Sequence, residues 1–254
     1  MNMRRKLFEV YWKIRGVITP TLRHSQSIYE DVLKSHVNQD MKWLDLGCGH
    51  QVLPFWREEE EAQLVASCGM IVGMDYDLPS LKKHRSISLR VRGDINTLPF
   101  KDNYFDLVTA NMVVEHLATP ADQFREINRI LKPGGTFLFH TPNAVGYPSI
   151  MTKLTPEMLK HRLIYLLDGR KEEDVFETHY KANTSNQITN LAVMTGFKVR
   201  KIKMTVSDAV FALVPPLAIL ELAYIRMLMM RRFEAWRPDI IATLKKDGAA
   251  FTSA

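Results

Sequence analysis

The chain holds very little cysteine: Cys48 and Cys68 are the only two in 254 residues. That excludes a disulfide framework and a thiolate zinc site, and it points to a reducing compartment, the cytoplasm. The opening stretch, MNMRRKLFEVYWKIRG, has no uninterrupted apolar run and no small-residue cleavage site, so it makes a poor secretory signal. Internal repeats and low-complexity tracts are absent, which sets aside solenoids and disordered linkers. Neither sign of charge dominates. The 34 Lys and Arg exceed the 28 Asp and Glu by six, an excess that reads first as a solvated surface. What is present is ordinary for a globular chain, 46% hydrophobic and 24% charged, with length for one large domain and additions.

Patterning along the chain alternates strands with helices. Ile28, Val32, Leu33 and Val37 stand at helical spacing within residues 21–37. MKWLDL then reads as a first strand that stops at Gly47 and Gly49, with Cys48 between them. A polar helical segment around REEEEAQLVASCG leads to a second strand, MIVGMD. SISLRVRGD reads as a third and YFDLVTANM as a fourth, whose near-continuous apolar run suits burial on both faces. ADQFREINRILKPGG gives an amphipathic helix with Phe124, Ile127, Ile130 and Leu131 on its stripe, stopped at Pro133-Gly134-Gly135. TFLFHT is a fifth strand. Such alternation predicts an α/β fold, a parallel sheet with helices on both faces.

Ligands of such sheets bind beyond the carboxyl ends of the strands. Gly47 and Gly49 lie there, where glycine permits positive φ and close approach of the backbone. Asp75 ends the second strand, placed to accept hydrogen bonds from both hydroxyls of a ribose, and removing it is expected to strand no buried partner. Asp94 follows the third strand, where a carboxylate can take an exocyclic amine. Glycines, an acid and an acid at three successive strand ends describe an adenosine site.

At this point the residues resemble the class I S-adenosylmethionine-dependent methyltransferases. LDLGCG, VGMDYD, GDINTLPF, YFDLVTANMVVEHL and ILKPGGTFLFHTPN follow that family's motifs in order from about residue 40 to 143. THYKANTSNQITNLAVMTGFKVRKI resembles its last helix and sixth strand, and RPDIIATLKK its final antiparallel strand. The resemblance implies a Rossmann-like seven-stranded sheet, mostly parallel with an antiparallel last strand, interrupted by helical insertions. It implies S-adenosyl-L-methionine as cofactor. Gly47, the backbone of Cys48 and Gly49 would border the methionine part, with Asp45 holding the loop. Asp75, with Tyr76 beside it, would hold the ribose. Asp94 and the backbone of Ile95 would hold adenine, and Asn111 would sit near the methionine amino group. Two departures bear on the first loop: His50 and Gln51 stand where many relatives carry a third glycine, and the interval to Asp75 is long.

Methyl transfer asks the protein mainly to position a nucleophile about 3–3.5 Å from the reacting carbon. A base is needed only when the acceptor arrives protonated. Glu115, His116, His140 and His179 are candidates, and His116, just beyond the fourth strand, ranks first. No metal is implied. The fourth strand lacks the Asn-Pro-Pro-Tyr type of motif that accompanies methylation of adenine or glutamine amides, which argues against nucleic acid. The acceptor is expected to be a small molecule, a glycan or a lipid-linked compound.

A single methyltransferase domain over 1–254 is therefore expected. It divides into an N-terminal helical cap (1–40), a cofactor-binding half (41–143) and a substrate lid (144–183), with Leu159, Leu163, Leu166 and Leu167 as a lid helix ended by Gly169. Helix and strand six (184–206), an apolar helical insertion (207–237) and the last strand (238–246) complete it. From Ala209 to Met230 only Glu221 and Arg226 are charged. Pro215-Pro216 is read as a break within that insertion, leaving pieces too short to cross a bilayer. A packing or homodimer face is one reading of it. Peripheral contact with anionic membrane is the other, supported by Arg226, Arg231, Arg232 and Arg237. Two rival functions stand beside methyl transfer. A nicotinamide-dependent oxidoreductase would need G-x-G-x-x-G, and Val52 occupies its third glycine position. A non-catalytic cofactor-binding or assembly protein is the other.

Overall fold

The computed structural model describes residues 3–155 and 177–248. Seven strands form one sheet: β1 Lys42–Leu46, β2 Met70–Asp75, β3 Leu89–Arg92, β4 Phe105–Asn111, β5 Leu131–Pro142, β6 Phe197–Thr205 and β7 Asp239–Lys246. Their order is β3-β2-β1-β4-β5-β7-β6, with six strands parallel and the last antiparallel, as the resemblance implied. The described helices are α1 Met3–Ile18, α2 Ser25–Lys34, α3 Glu58–Ala66, α4 Leu78–Lys83, α5 Pro120–Ile130, α6 Tyr147–Leu154, α7 Ser185–Met194 and α8 Pro215–Leu228. The chain forms two compact units. One gathers residues 1–28, 142–177 and 204–240, and the other 29–141, 178–203 and 241–254. Residues 3–28 of the predicted cap, 144–155 of the lid and the insertion thus contribute to the first unit, while residues 29–40 of the cap and 178–183 of the lid belong to the second.

In the larger unit, apolar residues of the central strands build the core. Trp43, Leu44, Phe105, Leu107, Phe137 and Phe139 are fully buried. Phe124, Ile127 and Ile130 present the predicted stripe of α5 to them, with the Phe124 ring edge-on to Phe137 at 5.3 Å. The helix ends at Ile130, and Leu131 already belongs to β5. Between Phe105 and Leu107 the β4–β5 register jumps from Leu131 to Thr136, so the Pro-Gly-Gly stretch is accommodated as an irregularity within the strand. β3 is shorter than SISLRVRGD suggested. The Ser86 and Ile87 N–H groups donate to His84 Nδ1, which takes that stretch out of the ladder.

Register decides what faces what. Asp45 stands between Gly73 of β2 and Thr109 of β4. The order reverses between β1 and β4, which is the switch point where ligands of doubly wound sheets bind.

The smaller unit is organised around α8. Ala218, Leu222, Ile225 and Leu228 make its buried face, packed with Tyr11, Ile14 and Ile18 of α1. Pro215 and Pro216 open this helix rather than divide it, because the first turn has no use for their missing N–H groups. Glu221 lies on the buried face and accepts hydrogen bonds from the Tyr147 hydroxyl and the N–H groups of Val210 and Phe211. Asp208 does the same for α1, pairing with Arg15 and accepting from the Tyr11 hydroxyl. Residues 144–155 of the expected lid form a turn and α6; Leu159, Leu163, Leu166, Leu167 and Gly169 lie outside the described residues. Among the described residues no helix is long and apolar enough to cross a membrane.

Candidate cofactor and active site

The first strand ends in a turn that only glycine fits well. Gly47 adopts φ 65° and Gly49 φ 53°, both left-handed. The N–H groups of Gly47 and Cys48 donate to Met74 O at 2.8 and 3.2 Å, tying the turn to β2. A Cβ on Gly47 would stand 2.3 Å from Val113 Cγ2, whereas one on Gly49 would project into open space. Gly49 N–H donates to Asp75 Oδ2 at 2.9 Å, and Asp77 N–H to Asp75 Oδ1 at 2.9 Å. Each Asp75 oxygen thus holds one backbone donor and keeps acceptor capacity. Cys48 turns its side chain inward, close against Gly73, and burial pushes its thiol pKa up.

Asp45 lies beneath this turn, buried, and accepts the Thr109 hydroxyl at 2.5 Å. Trp43 Nε1 in turn donates to Thr109 Oγ1 at 2.7 Å. Burial raises the Asp45 pKa to about 7 against the Thr109 hydrogen bond, with the charges of Asp75 and Glu61 adding to the rise. Thr109 also hydrogen-bonds the buried Tyr29 phenol, whose ring stacks on His140 at 5.6 Å. Thr109 and Tyr29 were missed in the sequence, because only the β1–β4 register and the packing of α2 bring them to this cluster; Trp43, on the same strand as Asp45, joins it through Thr109.

The other expected cofactor residues occupy the neighbouring strand ends. Asp94 is exposed, and its Oδ1 accepts the backbone N–H and side-chain Nδ2 of Asn96 at 2.9 and 2.7 Å. Those bonds hold its carboxyl below the usual carboxylate range. Ile95 lies within the same turn, half-buried, and Tyr76 is exposed directly after Asp75. Asn111 ends β4 with Oδ1 2.9 Å from His140 Nδ1. The next residue, Met112, is exposed and holds φ 56°, a strained conformation for a residue with a side chain. Such strain concentrates at functional sites, and composition gave no signal of it.

Beyond β4, a short turn spans Val114–His116. His116 is half-buried, its Nε2 3.9 Å from Glu115 Oε1. Glu115 is buried, and its Oε2 accepts the Thr141 hydroxyl at 2.9 Å. Asn183 Nδ2 donates to Thr141 Oγ1 at 2.7 Å. The Glu115 carbonyl accepts the N–H groups of His179 and Tyr180, so two of the sequence candidates, Glu115 and His179, meet through backbone. Tyr180 is a second left-handed residue here, at φ 51°.

A glycine turn at the switch point, followed by acids at or just past the next two strand ends, belongs to a Rossmann-like sheet. Residues 44–139 match the family model of a methyltransferase domain. The chain is 38% identical over 97 residues to the demethylmenaquinone methyltransferase of Corynebacterium kroppenstedtii, covering 36% of this chain and 42% of that protein. To the demethylmenaquinone methyltransferase of Lactiplantibacillus plantarum it is 36% identical over 134 residues, 49% of this chain and 54% of that one. It spans about half the length of these curated relatives. An S-adenosylmethionine-dependent methyltransferase structure from Mesorhizobium loti shares the fold, with TM-score 0.54 at 17% identity over 85% of this chain and 96% of that one. Residues 44–139 are thus similar to a methyltransferase domain, on a fold shared with class I, Rossmann-like S-adenosylmethionine-dependent methyltransferase structures. The family's cofactor is S-adenosyl-L-methionine, and the residues fit it: the space a Gly49 Cβ would fill is open beside an Asp75 carboxylate with acceptor capacity left.

Proposed function

We propose that this chain transfers the methyl group of S-adenosylmethionine to a small-molecule, glycan or lipid-linked acceptor. The observation that carries the reading is the Gly49–Asp75 hydrogen bond, which joins the first two strand ends beside open space. Asp75 would hold the ribose, the Gly47–Gly49 turn would border the methionine part, Asp94 and Ile95 would flank adenine, and Asn111 would lie near the amino group. When bound, the cofactor supplies a methyl group already activated by a sulfonium. The chain's own residues bind, orient and, where needed, take a proton.

His116 is the base of this reading, because it follows β4 and keeps part of its ring accessible. Glu115 beside it is held by Thr141, so it can orient an imidazolium without itself being exposed. The demethylmenaquinone methyltransferases among the relatives bring a quinone-type small molecule into the acceptor set.

The test is transfer of labelled methyl from S-adenosylmethionine to a fractionated cell extract, with identification of the labelled product. Incorporation lost in an Asp75→Ala variant that remains folded supports the reading. A folded native chain that binds the cofactor and labels nothing would leave it a binding protein.

A further inference from the structure

Helix α8 is apolar on both sides, although only one side is buried. Its outward residues include Leu217, Ile219 and Leu220, exposed by 44%, 44% and 69%, together with Pro216 and Ala223. Its one acid, Glu221, points into the packed face, and its one base, Arg226, donates to Ile18 O at 2.7 Å. That bond joins the exposed side of α8 to the end of α1, where Val17 is 78% exposed.

α1 continues the pattern. Tyr11, Ile14 and Ile18 face inward, while Met3, Val10 and Val17, spaced by seven residues, form an exposed stripe. Lys6 and Lys13, also seven apart, edge that stripe, and Arg4 and Arg5 are exposed near it. Of the five basic residues on this helix, Arg15 is turned to Asp208 and Arg5 pairs with Glu9. After α8 come exposed Met230, Arg231, Arg232 and Trp236, a mixture of cation and aromatic suited to a headgroup region.

We infer that the outer faces of α1 and α8 form one docking surface for an anionic lipid membrane, on which the protein rests without crossing. Apolar side chains enter the acyl boundary and the basic rim meets acidic headgroups. The charge pattern selects this occupant over a second copy of the chain. A symmetric dimer would bring the rim of lysines and arginines near its own image, where Glu9, the exposed acid on these helices, already pairs with Arg5. An anionic bilayer answers every one of them.

The experiment is vesicle flotation of the full chain, with phosphatidylcholine alone and with phosphatidylcholine containing phosphatidylglycerol. Light scattering is run in parallel. The protein should float with the anionic vesicles, stay behind with the neutral ones and be released by high salt. Arg231→Glu with Arg232→Glu should weaken vesicle affinity by at least about tenfold. Leu220→Glu, at an exposed position, should weaken it while leaving S-adenosylmethionine affinity unchanged, which also shows that the variant is folded. Failure to float with anionic vesicles would overturn the inference, as would flotation unaffected by all three substitutions. A dimer that Leu220→Glu converts to monomer, without vesicle binding, would assign the face to self-association instead. Cofactor binding is read separately, so loss of the membrane role and loss of the methyltransferase reading are distinguishable.

Discussion

The Gly49 N–H donates to Asp75 Oδ2 at 2.9 Å, so the glycine turn after β1 and the acid ending β2 form one hydrogen-bonded unit. The carboxylate that would bind the ribose is also the support of the loop that would border the methionine part. This alters what Asp75→Ala should do. The sequence alone suggested a clean loss of one ligand contact, but the substitution also strands the N–H groups of Gly49 and Asp77. Cofactor affinity should fall by about 1.5–3 kcal/mol for the lost charged hydrogen bond. Thermal stability should fall as well, and Asp75→Asn should recover part of it through its remaining acceptor oxygen. Calorimetry and thermal denaturation on both variants check this; unchanged affinity in folded Asp75→Ala would contradict it.

The two glycines should respond differently to alanine. Gly47→Ala meets both the left-handed backbone and Val113 Cγ2, and should cost about 2–4 kcal/mol of stability. Gly49→Ala meets the backbone term alone, about 1–2 kcal/mol, since its Cβ enters open space. If that space receives the cofactor, Gly49→Ala should lose far more affinity than stability. Denaturant titration beside cofactor calorimetry separates the two; equal stability losses would contradict the geometry.

Asp45 sets a pH dependence. Its folded pKa of about 7 lies above the unfolded value near 3.9, so the folded state binds the extra proton between them. Its contribution is fully present below about pH 4 and is lost as pH rises to about 7. Asp45→Asn keeps an acceptor for Thr109 and has no proton to lose. Its stability relative to the native chain should therefore rise between about pH 4 and 7, by on the order of a few kcal/mol, and level off above. A difference independent of pH would place the Asp45 titration elsewhere.

His116 and Glu115 should separate function from structure. If His116 is the base, His116→Ala should reduce turnover by about 10²–10⁴-fold with cofactor affinity nearly intact. Glu115→Ala removes the acceptor of the Thr141 hydroxyl and should cost about 1–3 kcal/mol of stability. Parallel loss of stability and turnover in His116→Ala would assign that ring a structural part.

The strand ends were legible in the sequence because each carries a local signal: a glycine that needs positive φ, or an acid just past an apolar run. The mostly parallel sheet with its antiparallel last strand followed from resemblance, and the connections between β1 and β5 are short enough to read in sequence. Contacts across strands were not legible. Nothing near Asp45 in the chain announces Thr109 or Tyr29, which reach it only through register and α2. The smaller unit was hidden for a similar reason, since Tyr11 and Asp208 are 197 residues apart and meet only on folding. Pro215-Pro216 misled because a proline pair looks alike at a break and at a helix start. Only the packed residues that follow, Ala218 through Leu228, decide which it is.

The turn after β1 and the acid ending β2 are proposed to hold S-adenosylmethionine. Calorimetric titration of the native chain with S-adenosylmethionine, its demethylated product and a nicotinamide dinucleotide tests it most directly, repeated on folded Gly49→Ala. The account predicts saturable binding of the first two, loss of that binding in the variant, and none of the dinucleotide. A folded native chain that ignores S-adenosylmethionine, or that binds the dinucleotide tightly in its place, would contradict it.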